Sequence, residues 1–197
     1  MVGMNKRTGR PRVYSIAPVE GFADPHVAFH AAWIAELRER VIDQIRELPV
    51  DALNYVAGDT KLSVARLARH LAWGEAAWMG RLGAPHTAEA LDRALTSDAL
   101  SAFGSEPAPA KSADELIAPI RRVAAEITSP QLATMTDLDA PILDDGTTVL
   151  GVLMHLEWHW VYHSGQIGLL QFECGHDYEW SMHRPMVPRR PIVPPHG

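Results

Sequence analysis

Along most of the chain apolar residues recur at spacings of three and four, and runs of alternating β-branched residues are scarce. That pattern predicts an all-α protein with four main helices. The first is expected from Pro25 to about Leu48. Asp24 is a good N-cap, Pro25 suits the first helical position, and Pro49 ends the run. Phe29, Trp33, Leu37, Val41, Ile45 and Leu48 form its apolar stripe. The second is expected from Ser63 to Leu82, with Val64, Leu67, Leu71, Trp78 and Leu82 inward and Gly83 as its stop. The third runs from Ala113 to Thr128. Ser112-Ala113-Asp114-Glu115 matches a capping box, and Pro119 in the second turn implies a shifted start or a kink. The fourth runs from Thr148 to Cys174, with Thr147 or Thr148 as its cap and Gly175 at its C-terminal end.

The connections refine this picture. The stretch from Gly83 to Lys111 is too long for a tight turn between helices. It suggests a short helix from Glu89 to Leu100 within a crossover that leaves helices two and three parallel. Ser129 to Gly146 reads as a second long loop. Residues 1–23, with Lys6, Arg7, Arg10 and Arg12, read as a solvated N-terminal arm, and residues 24–175 as one helical domain. Residues 176–197 form a proline-rich C-terminal tail (Pro185, Pro188, Pro191, Pro194 and Pro195), which is either a strap over the helices or a loose end.

Composition narrows the class. A chain of 197 residues, 47% hydrophobic and 21% charged, suits one self-sufficient core. A net charge of −6 argues against a nucleic-acid partner. The single cysteine, Cys174, excludes an internal disulfide and a multi-cysteine zinc site. It also fits a reducing cytoplasm. No apolar run reaches the roughly 20 residues of a bilayer span, and no apolar segment follows the basic N-terminus as in a secretory signal. The expectation is therefore a cytoplasmic protein without membrane contact.

The candidate chemistry lies in the fourth helix. His155, His159 and His163 recur every four residues, so neighbours share one helix face. Two imidazoles at that spacing can reach one metal ion. All three on a straight helix cannot, because they span about 12 Å of rise. Two ligands are expected here and a third elsewhere. The best third is His70, flanked by Leu67 and Leu71 within the second helix. His26 and His30 form a competing pair. Glu157 stands two residues from both His155 and His159, off their face, so it cannot act as the base of a His-Glu-x-x-His site. The one Glu-x-x-His match, Glu173 to His176, is broken by Gly175.

The segments LARHLAWGEAAWM, around His70, and VLMHLEWHWVYHSGQIGLL, from Val152 to Leu170, resemble the DinB-like superfamily, which includes YfiT-type proteins. The resemblance covers about residues 28–175. It implies a four-helix bundle of up-down-down-up topology and frequent homodimers. It also implies a divalent metal, often nickel or zinc and in principle iron, on one histidine of helix two and two of helix four. Residue by residue these are His70, His159 and His163, with His155 at a position where the family often has a non-ligand histidine. Ser164 stands where the family commonly has arginine. Similar proteins include isomerases and S-transferases that use mycothiol, bacillithiol or glutathione.

Three neutral imidazoles leave coordination positions for an exogenous donor. The leading expectation is a metal-dependent thiol transferase or isomerase acting on a small electrophile. The alternatives are a hydrolase using hydroxide, and a non-catalytic metal-binding stress protein. His155 and Gln166 are the candidate catalytic helpers, Gln166 because it lies one turn beyond His163. Glu75 lies well off the His70 face and is expected to buttress another helix. Trp73, Trp158 and Trp160 are expected in the core or at a pocket wall. Cys174, at a helix C-terminus, is expected to be structural.

Overall fold

The computed structural model describes residues 4–11, 16–82 and 108–179. The described residues are mostly helical. Strand β1 (Asn5–Thr8) precedes helix α1 (Pro25–Ile45), the short α2 (Val50–Asn54) and α3 (Val64–Met79). After the segment outside the description come α4 (Ala113–Arg122), a π-helical stretch (Val123–Thr128), the short α5 (Ser129–Ala133), the long α6 (Val149–Glu173) and strand β2 (His176–Glu179). The Glu89–Leu100 helix, most of the Gly83–Lys111 crossover and the tail beyond Glu179 lie outside the described residues.

Side-chain caps set where the long helices begin. Asp24 accepts from the amides of His26 (2.7 Å) and Val27 (3.1 Å), with Pro25 in the first turn. Ser63 Oγ accepts from the Arg66 amide at 3.1 Å, Ser112 Oγ from Glu115 at 3.2 Å, and Thr148 Oγ1 from Gly151 at 3.2 Å. Each bond satisfies one of the amides that a first helical turn leaves without a partner.

Packing follows the apolar stripes. α6 lies against α1 and α3, and α3 lies against α4. One core joins Ile34, Val41 and Ile42 of α1, Leu67 and Leu71 of α3, Leu116 and Ile120 of α4, and Leu153, Leu156 and Ile167 of α6. Phe29 departs from its expected inward place and is 44% exposed. The third helical segment also outruns its expected end at Thr128. Its turn widens, the Ser129 amide bonding the Ala124 carbonyl five residues back, and the chain continues as α5 past Pro130. A π turn accommodates the missing proline amide, which a regular α-ladder would leave as a break.

The ends of the chain depart most from expectation. Residues 5–8, mostly exposed, pair in parallel with the first residues of the tail, Asn5 opposite His176 and Thr8 opposite Glu179. A buried carboxylate anchors the pair to α1. Asp43 accepts from Arg7 Nη2 at 3.0 Å, the Arg10 amide at 2.8 Å and the Tyr178 hydroxyl at 2.5 Å. Arg10 also bonds Glu36 at 2.9 Å. Gly9 is required where it stands, because a Cβ there would overlap the Tyr178 ring.

Candidate metal centre

α3 presents His70 and α6 presents His159 and His163 to one point between the helices. One ring nitrogen from each lies within 4.8 Å of the other two. The Nε2 atoms of His70 and His159 are 2.9 Å apart. Ring centroids are separated by 4.8 Å (His70–His159), 4.8 Å (His70–His163) and 4.6 Å (His159–His163), each pair edge to face. The i,i+4 spacing stacks two rings along α6, and the contact of α6 with α3 brings the third. Two nitrogens each about 2.0–2.1 Å from one ion stand about 3 Å apart, so the His70–His159 pair is already near ligand spacing.

The surroundings keep these rings neutral, which is the form that binds a metal. Burial, with His163 nearby, lowers the His70 pKa to about 4. Burial, with His163, His70 and His155 close by, lowers that of His159 to about 3. His163 is also lowered by burial, partly offset by its bond to Gln166. That bond joins His163 Nδ1 to Gln166 Oε1 at 2.7 Å. An amide oxygen only accepts, so the Nδ1 carries the proton and the Nε2 lone pair is left for an ion. Gln166 Nε2 donates in turn to the Tyr162 hydroxyl at 3.3 Å. The Nδ1 of His159 is buried without a hydrogen-bond partner. A neutral, convergent donor set of this kind, with His159 buried and His70 and His163 half-buried, fits a divalent ion with an affinity for imidazole.

The other sequence candidates fall around this centre. His155 lies outside the converging set, stacked on His159 at 5.8 Å and tilted against Trp78 at 4.2 Å between ring centroids. Gln166 touches His163, so its structural role is to orient that ring. His30 bonds Glu157 at 2.7 Å, tying α1 to α6, and its pairing with His26 gathers no third donor among the described residues. Trp160 is buried in the core, whereas Trp158 is 57% exposed and stacks on Tyr162 at 5.1 Å. Trp73 lies near His70, ring centroids 6.1 Å apart. Burial pushes the Cys174 thiol up, away from the reactive thiolate.

Beside the histidines lies a buried charged knot. Glu75, 1% exposed, accepts from Arg38 Nε (3.2 Å) and Nη2 (2.8 Å), Trp160 Nε1 (2.9 Å) and Thr128 Oγ1 (2.5 Å). It ties α1, α3, the π-helical stretch and α6 together, the buttressing role expected for an acid off the His70 face. Arg38 and Thr128 were not singled out in the sequence, because an arginine on an otherwise mixed helix face and a lone threonine carry no signal by themselves. Gly74 was not singled out either. Its signal is legible in retrospect: a glycine inside a strong helix, one turn beyond a histidine.

Among protein-family models, the one described as the DinB family matches residues 26–183. No curated protein and no solved structure matches the chain.

Proposed function

We propose, for a chain that belongs to the DinB family, a metal-dependent activity centred on one divalent ion held by His70, His159 and His163. The observation that carries this reading is the convergence of three imidazole nitrogens from two helices within 4.8 Å of one another. An ion bound there keeps positions for exogenous donors, lowers the pKa of a thiol or water that occupies one, and polarises a carbonyl. The reaction class that follows is transfer of a low-molecular-weight thiol to a small electrophile, or isomerisation assisted by such a thiol. Mycothiol, bacillithiol and glutathione are the thiols to test, and zinc, nickel and iron the metals.

The chain's own residues have distinct parts in this reading. His70, His159 and His163 remain neutral at physiological pH because burial holds their pKa values down. Gln166 fixes the tautomer of His163. Tyr162 and Trp158 provide an exposed, stacked aromatic surface that leads from His163 outward, and a substrate ring or acyl group can lie on it. His155 sits one turn before His159 with its pKa lowered by burial and by Arg81, and it can relay a proton between solvent and the site. No described helix is long and apolar enough to cross a membrane. The finer architecture proposed is a four-helix bundle of up-down-down-up topology that assembles as a homodimer in the cytoplasm.

The decisive experiment measures metal content of the purified chain and of each single His→Ala variant. It is paired with turnover of a small electrophile with and without the three thiols. Stoichiometric metal lost on replacing His70, His159 or His163, with thiol-dependent turnover, supports the reading. Full metal retained in His159→Ala overturns it. Ester or amide hydrolysis without any thiol would replace thiol transfer by hydrolysis at the same centre. A cobalt-substituted protein whose spectrum responds to no added thiol would remove thiol transfer as well.

A further inference from the structure

We infer that Gly74 is a positioning residue for the metal centre: its bare Cα is the seat for the His159 imidazole, and any side chain there displaces that ring from the ligand set. The inference rests on the proposed metal reading for its consequence, but on geometry alone for the contact.

Gly74 lies four residues after His70, so the two share one face of α3. A Cβ built on Gly74 would fall 2.7 Å from His159 Cε1 and 3.5 Å from both Nδ1 and Nε2 of the same ring. The first distance is closer than real Cβ atoms come to any heavy atom. The three nearest atoms to that Cβ all belong to the His159 imidazole. The glycine therefore serves this ring and not helix packing in general.

The clash has no inexpensive relief. His159 is 6% exposed, and its Nε2 is 2.9 Å from His70 Nε2. Backing the ring away from α3 separates those two nitrogens. Moving the α3 backbone instead carries His70 with it, and also Glu75, whose carboxylate is bonded to Arg38, Thr128 and Trp160. Glycine is among the worst residues for a helix interior, and α3 is otherwise built of good helix formers such as Ala65, Leu67, Ala68, Leu71, Ala72 and Ala76. Replacing Gly74 by alanine improves the helix locally. The only structure it damages is the approach of His159 to His70. That separation of effects makes the inference testable.

The test uses Gly74→Ala in the full chain, in the wild-type background and in a His159→Ala background. Metal affinity is read by zinc or cobalt titration against a competing chelator, and the fold by circular dichroism and thermal melting of the metal-free protein. The expected result is wild-type helicity with metal bound about 10–100-fold more weakly, the loss typical of disturbing what orients a ligand. In the His159→Ala background the added Cβ meets no ring, so Gly74→Ala should raise the melting temperature relative to His159→Ala alone. Metal affinity equal to wild type in folded Gly74→Ala overturns the inference, as does an equal drop in melting temperature in both backgrounds. If Gly74→Ala fails to fold, rescue by His159→Ala upholds the contact and failure in both backgrounds refutes it. A wild-type chain that takes up no metal would instead refute the metal reading, and the melting comparison would still decide whether Gly74 seats the ring.

Discussion

Two polar clusters sit side by side in the same apolar core, sharing α3 and α6, and they are built on opposite terms. The Glu75 knot is closed. Its carboxylate accepts four hydrogen bonds from Arg38, Thr128 and Trp160. The histidine centre is open. Its three rings meet mainly one another, one nitrogen of each within 4.8 Å of the other two. A closed network holds helices together and has nothing left to bind with. An open one carries an unmet demand for a ligand. Adjacent positions, Gly74 and Glu75, serve the two clusters, so α3 supplies the seat for one and the centre of the other.

The largest expected effect breaks the closed cluster. Glu75→Ala leaves Arg38 buried without its carboxylate, which costs about 3–5 kcal/mol when one partner of a buried ion pair is removed. Urea unfolding of the metal-free protein would measure this. His159→Ala should cost far less in the same experiment while abolishing stoichiometric metal. If the two substitutions destabilise the metal-free fold equally, the contrast between closed and open clusters is wrong.

Metal removal sharpens the comparison next. The core from Ile34 to Ile167 is assembled without the histidines. The metal-free protein should therefore keep its helicity by circular dichroism. Its stability should fall only by the mass-action contribution of a ligand that binds the native state, about 2.7 kcal/mol at a free metal concentration one hundred times Kd. Loss of helical signal on chelation would make the ion structural.

A smaller effect separates the ligands from their supports. Gln166→Ala frees the His163 tautomer and should weaken metal binding about 10–100-fold with the fold unchanged. His155→Ala, outside the converging set, should retain the metal and change turnover instead. Complete metal loss in His155→Ala would make it a ligand and require a different arrangement of α6.

The parts legible in the sequence were those with a period. Asp24, Ser63, Ser112 and Thr148 mark helix starts that the structure places where their capping chemistry puts them. The four-residue recurrence of histidines pointed to α6, and the flanking leucines of His70 pointed to α3. What the sequence did not reveal lacked a period. Strands of four residues, Asn5–Thr8 and His176–Glu179, are too short to alternate visibly, and nothing near Arg7 and Arg10 in the chain marks their partner Asp43, more than thirty residues away. The continuation through Pro130 depends on a π turn that no residue type announces. Gly74 differed: its signal was present, but glycine inside a helix has several causes, and only the position of His159 selects one.

The smallest expected effect tests whether closure alone makes a cluster structural, using a third polar cluster, centred on a carboxylate at the edge of the core. Burial would push the Asp43 carboxyl up, but the Tyr178 hydroxyl, the Arg10 amide and the charges of Arg7 and Arg46 together hold it below its ordinary value of 3.8. Because its folded pKa lies below the unfolded one, its contribution to stability is fully present above the unfolded pKa. It is lost as pH falls through the folded value. Tyr178→Phe removes one of those bonds. Stability at neutral pH should fall by about 1 kcal/mol, the ordinary net worth of a hydrogen bond, and the loss of stability on acidification below about pH 4 should become shallower. Metal affinity should not change, since the clasp lies against α1 and not against the histidine centre. Urea midpoints at neutral pH and across the acid range, alongside one metal titration, would check all three outcomes. A Tyr178→Phe protein with an unchanged acid slope would mean that the arginines alone hold Asp43 ionised, and the hydroxyl then adds attachment of β2 without adding to the charge balance.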